Sequence, residues 1–131
     1  MDRLFLDANV LYSAAHSKDS RFRELWRLEN VSLLTSAYAV EETRRNLRSD
    51  EQRERFAKLL PPMEVVRDTT RFVLPQDITL PDKDRPILLA AIEMKATHLL
   101  TGDKQHFGAY YGQAVVGVLI MSPAEYLRAK T

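Results

Sequence analysis

Short apolar runs alternate along this chain with stretches of helical periodicity. Arg3–Asp7 (RLFLD), Val31–Thr35 (VSLLT), Glu64–Arg67 (EVVR), His98–Thr101 (HLLT) and Val115–Ile120 (VVGVLI) read as strands. Their apolar positions are continuous rather than alternating, which predicts strands buried on both faces. Between them, Ile87, Ala90, Ala91 and Met94 recur at i, i+3, i+4 and i+7 within Arg85–Lys95. Pro86 suits only a first turn, so this helix begins near Asp84. Phe22, Leu25, Trp26 and Glu29 repeat the spacing in an earlier helix, which makes Trp26 a core residue. Ala37, Val40, Arg44 and Leu47 line one face of another. Ser122, Pro123 and Glu125 supply an N-cap, a first-turn proline and a capping-box acid for a last helix, Pro123 to about Arg128.

Alternating β and α units of this length predict an α/β fold, a mostly parallel sheet of about five strands with helices on both faces. In such sheets ligands gather at the carboxyl ends of the strands. At 131 residues a single domain, 1–131, is expected. Composition narrows the chemistry. The chain has no cysteine, which excludes disulfides, thiolate zinc sites and a thiol nucleophile. Asp2 and Asp7 interrupt an N-terminal apolar run too short for a secretory or membrane segment, so a soluble, cytoplasmic protein is expected. A net charge of +1 excludes binding to nucleic acid by bulk electrostatics alone and leaves metal ions or local patches to attract it.

Acids fall at the strand ends that the fold singles out. Asp7 ends the first strand in FLDANVL. Asp103 follows the fourth in HLLTGDKQHF, with Gly102 allowing a tight exit. Asp82 and Asp84 precede the clearest helix, and Glu41 and Glu42 lie one turn into the helix after the second strand. Taken singly, each has an ordinary role as a turn former, an N-cap or, for Glu41 with Arg45 at i+4, a solvated ion pair. As a set they would repel one another and raise each other's pKa values, which a divalent cation relieves. Mg²⁺ and Mn²⁺ suit carboxylate and water ligands, and such an ion activates water and neutralises charge on a phosphodiester.

FLDANVL, TSAYAVEETRRNL and LPDKDRPILLAAIEMKATHLLTGDKQHF together resemble the PIN domain family, including VapC-type toxins and related stand-alone bacterial proteins. The resemblance spans nearly the whole chain. It implies a three-layer α/β/α fold, dependence on Mg²⁺ or Mn²⁺, and cleavage of single-stranded or structured RNA. The family's four acids match Asp7, Glu42, Asp84 and Asp103, as metal ligands and catalytic residues, with Glu42 preferred to Glu41 because TRRNL follows it. Asp82 is an outer or alternative ligand. Gln105 departs from the pattern, standing where many members carry a further acid, so one ion or two are expected, the second short of a ligand. For a toxin, the resemblance also implies an antitoxin partner and homodimerisation.

Asn9, Ser36 and Thr101 are small polar residues expected to support the acids, although Asn9 and Ser36 equally suit turns or helix caps. Arg44, Arg45 and Arg48 follow Glu42 and are candidates to guide an RNA backbone, with Arg3, Lys18, Arg21 and Arg23 extending that surface. The rest of Arg44–Lys58 reads as a mixed, solvated helix face. Lys104 and His106 flank Asp103 and are candidates for phosphate contact, with plain surface solvation favoured for both. No two of His16, His98 and His106 have the spacing of a helical zinc pair. Two rival functions remain: a non-catalytic RNA- or protein-binding module, and an Asp7-nucleophile phosphatase or receiver domain, for which Asn9 stands where a second acid is wanted.

Overall fold

The computed structural model describes residues 1–67 and 72–130; residues 68–71 and 131 of the expected domain lie outside them. Six strands form one sheet in the order β3-β2-β1-β4-β6-β5. They are β1 (Asp2–Leu6), β2 (Val31–Ser36), β3 (Glu64–Val66), β4 (His98–Leu100), β5 (Ala114–Val115) and β6 (Val118–Met121). All neighbours are parallel except β5 and β6. The helices are α1 (Ala8–His16), α2 (Ala37–Asn46), α3 (Asp50–Leu59), α4 (Arg85–Glu93), the short α5 (Lys104–Phe107) and α6 (Pro123–Ala129). They complete a three-layer α/β/α arrangement.

Leu4, Phe5 and Leu6 of β1 and Leu99 and Leu100 of β4 have no solvent exposure, as continuous apolar strands in the middle of a parallel sheet require. Helices cover them. Leu11, Ala14 and Ala15 of α1 and Ile87, Leu88, Ala90 and Ala91 of α4 are buried. Trp26 packs against this core and donates its indole N–H to the Leu59 carbonyl at 2.8 Å.

Three expectations change. Val115–Ile120 is not one strand but a hairpin, because Val116 and Gly117 both take positive φ, +49° and +83°, the backbone of a two-residue turn that matches strand twist. A β-branched residue in that region is strained, which is why the sequence read as continuous strand. The sheet therefore has six strands. Arg21–Arg27 is a 3₁₀ helix rather than an α-helix. The Arg44–Lys58 stretch breaks at Leu47–Ser49, where Ser49 and Gln52 form a capping box that starts α3. Among the described residues no helix is long and apolar enough to cross a membrane.

Candidate active site

From β1 the chain proceeds to β2 and β3 on one side, then to β4 and β6 on the other. The direction of winding reverses between β1 and β4, and a crevice opens at such a point outside the carboxyl ends of the strands. An open cleft of about 640 Å³ lies there, lined by Asp7, Glu42, Asp84 and Asp103.

Leu6 is in register with Leu100, so Asp7 emerges beside Thr101. Asp7 is 3% exposed, yet both carboxylate oxygens are engaged. Oδ1 accepts from the Ala8 N–H at 2.7 Å. Oδ2 accepts from the Thr101 hydroxyl at 2.8 Å and the Asn9 amide at 3.2 Å. Thr101 Oγ1 in turn accepts from the Asp103 N–H at 3.1 Å, and Asn9 Oδ1 from the Gly102 N–H at 2.8 Å. A Cβ at Gly102 would stand 3.3 Å from Asn9 Oδ1, so this close approach favours glycine. Asn9 and Thr101 thus lock β1 to the exit of β4. Burial pushes the Asp7 carboxyl up to about 6, against the pull of the Thr101 and Ala8 donors and helped by the charges of Asp84 and Glu42.

Asp84 differs. It stands at the N-cap of α4, but its side chain makes no capping hydrogen bond. Pro86 at the second helical position leaves one fewer orphan N–H to satisfy. Asp84 is 7% exposed, and its Oδ2 is buried with no hydrogen-bond partner. Its pKa is raised by burial first, with His106 opposing and Asp103 adding to the shift. Asp103 caps α5 by accepting from the His106 N–H at 3.2 Å. The His106 Nδ1 lies 2.8 Å from Asp103 Oδ2 and 2.9 Å from Asp84 Oδ2. Asp7, Asp84 and Asp103 all precede helix N-termini, whose partial positive charge favours carboxylates.

Glu42 reaches the cleft from α2, whereas Glu41 on the same turn is exposed and does not line it. Arg48 lines the cleft; Arg44, Arg45 and Lys104 are exposed outside it. Asp82 is exposed and likewise absent from the lining. Ser36 is buried away from the cleft and caps α2, accepting from the Ala39 N–H at 3.1 Å. Arg3 sits at the opposite, amino edge of the sheet, bonded to the Met94 carbonyl and paired with Glu64. His106 is half-buried between two acids rather than solvated. Lys83, Tyr12, Phe22 and Asn46 also line the cleft. Sequence reasoning passed over them because a lysine in a turn and aromatics at helical spacing carry no signal of their own. Lys83 could have been found, lying between Asp82 and Asp84.

A family model described as PIN domain matches residues 3–105. The chain belongs to the PIN domain family. No curated protein matches it in sequence. Among solved structures, this PIN domain is similar to a chain of VapBC2 from Rickettsia felis, bound to a DNA fragment from the promoter. The TM-score is 0.69 at 14% identity, covering 92% of this chain and 98% of that one. It is also similar to VapC20 of Mycobacterium tuberculosis, a toxin that cleaves the sarcin-ricin loop. There the TM-score is 0.55 at 16% identity, covering 78% of this chain and 92% of that one. At these identities the likeness speaks for the fold of the PIN domain.

Proposed function

We propose that this PIN domain is a divalent-metal-dependent endoribonuclease whose ion is held by Asp7, Asp84 and Asp103, with Glu42 as a further oxygen donor. The observation that carries the reading is the meeting of these carboxylates in one cleft, among them a buried Asp84 oxygen without a well-formed hydrogen bond. The donor set is oxygen-rich and anionic, which fits Mg²⁺ or Mn²⁺. Such an ion supplies an activated water and neutralises charge on the attacked phosphodiester. The protein's own groups do the rest. Thr101, Asn9 and the Ala8 N–H hold Asp7 in one orientation, so little reorganisation is needed when the cation binds. Arg48 and Lys83, at the cleft, engage backbone phosphates of the RNA on either side of the acids. Asp82, Arg44, Arg45 and Lys104 are exposed outside the cleft and take no part in holding the ion.

Likeness to VapC20 and to VapBC2 supports a toxin role with an antitoxin partner; a cytoplasmic setting and a homodimer as the working state belong to the same proposal and rest on the family resemblance alone. The Asp-nucleophile phosphatase reading loses ground because Asn9, at the position of the second acid, uses its amide to hold Asp7 and Gly102. The non-catalytic module is tested directly. Purified protein with Mn²⁺ is expected to cleave RNA, and EDTA or Asp7→Asn to abolish cleavage. Undiminished activity in either case overturns the assignment, and an absent Mn²⁺ isotherm in calorimetry favours the binding module.

A further inference from the structure

His106 is the half-buried imidazole whose Nδ1 faces both Asp84 Oδ2 and Asp103 Oδ2, at 2.9 and 2.8 Å. It lies just beyond the segment matched by the family model. One N–H shared between two oxygens serves neither fully. The contact with Asp103 has hydrogen-bond geometry, whereas the 2.9 Å contact with Asp84 Oδ2 is an ion pair that leaves this buried oxygen without a well-formed hydrogen bond. A proton on Nδ1 therefore serves one acid well and the other poorly, and with both acids ionised a bare Nδ1 would set three lone pairs against one another. A cation satisfies all three together. Ligand atoms of Asp84, Asp103 and His106 lie within 4.8 Å of one another. Adjacent ligands of an octahedral ion bound at about 2.1 Å stand about 3 Å apart, which is the spacing found from Nδ1 to each acid.

We propose that His106 is a ligand to the ion, through Nδ1, so that the site takes two carboxylates and one nitrogen at this end of the cleft. The inference rests on the divalent-cation reading above and adds a preference to it. Imidazole nitrogen is a better ligand to first-row transition ions, a series that Mn²⁺ opens, than to Mg²⁺, which prefers oxygen. This chain selects Mn²⁺ over Mg²⁺ for that reason.

Pulsed electron paramagnetic resonance on the full chain loaded with Mn²⁺ tests this without reference to activity. The wild type is expected to show nitrogen coupling to the ion, altered when histidine is ¹⁵N-labelled. His106→Gln is expected to lose the coupling and to bind Mn²⁺ roughly tenfold more weakly or worse in calorimetry, with Mg²⁺ affinity changed less than about threefold. Bound Mn²⁺ without nitrogen coupling in the wild type overturns the role of His106 and leaves the carboxylate site standing. Wild type that binds no Mn²⁺ overturns both. The spectrum of the wild type decides the matter even should His106→Gln fold poorly.

Discussion

Asp7 and Asp84 are both buried carboxylates in one cleft, yet their surroundings are opposite. Asp7 rises between two central strands, where paired backbones bring Thr101 and Asn9 within reach and every oxygen finds a donor. Asp84 precedes α4, where Pro86 and a cap without side-chain hydrogen bonding leave its Oδ2 with no neighbour but the His106 imidazole, which Asp103 shares. The first arrangement fixes geometry. The second keeps a coordination position open. A metal site needs both, since ligands must be held still and yet retain a lone pair for the ion.

The largest expected effect breaks the comparison at its open end. Asp84→Asn should lower RNA cleavage roughly a hundredfold or more, while the metal-free protein loses only the contact with His106 and melts close to the wild-type temperature. A marked drop in melting temperature would show that Asp84 is structural after all.

The next effect is a pH dependence belonging to Asp7. In the unfolded chain an aspartate ionises near pH 4, whereas the folded carboxyl holds its proton to about 6. Between those values the folded state binds more protons, so metal-free stability falls as pH rises, by at most about 3 kcal/mol. Urea denaturation from pH 3.5 to 7 should show this decline, and Asp7→Asn should reduce it, leaving the part that the raised pKa of Asp84 contributes. A stability that climbs over that window would contradict the burial of Asp7 as described.

Thr101→Val attacks the closed end. It removes a donor to Asp7 and an acceptor of the Asp103 N–H, and should cost about 1–3 kcal/mol. Losing the hydroxyl should also raise the Asp7 pKa further, visible in a carboxyl carbon NMR titration. The smallest effect lies outside the cleft. Ser49→Ala removes the α3 capping box and should cost about 1 kcal/mol with cleavage unchanged.

Much of this was legible in the sequence, for identifiable reasons. The continuous apolar runs of RLFLD and HLLT mark strands buried on both faces, and the acids that close them sit where a parallel sheet gathers ligands. The hairpin at Val116–Gly117 was hidden because its left-handed turn uses a valine, a residue that speaks for strand. Glu42 and Glu41 are one residue apart, so only the orientation of α2 against the sheet separates them. His106 looked like surface because the acid it approaches besides Asp103 lies in a segment distant along the chain. Ser36 looked like part of the site because it ends β2, though its hydroxyl is taken by α2.

The hydrogen bond between Thr101 and Asp7 joins residues 94 positions apart, and β1 lies between β2 and β4 in the sheet. Closing a chain over that distance is entropically costly and slow. During synthesis, a nascent chain that has emerged only through α3 carries Asp7 at the end of β1 and Glu42 on α2, with one side of β1 still unpaired. The cleft cannot form until β4 has left the ribosome and docked, so its assembly reports on the pairing of β4 with β1.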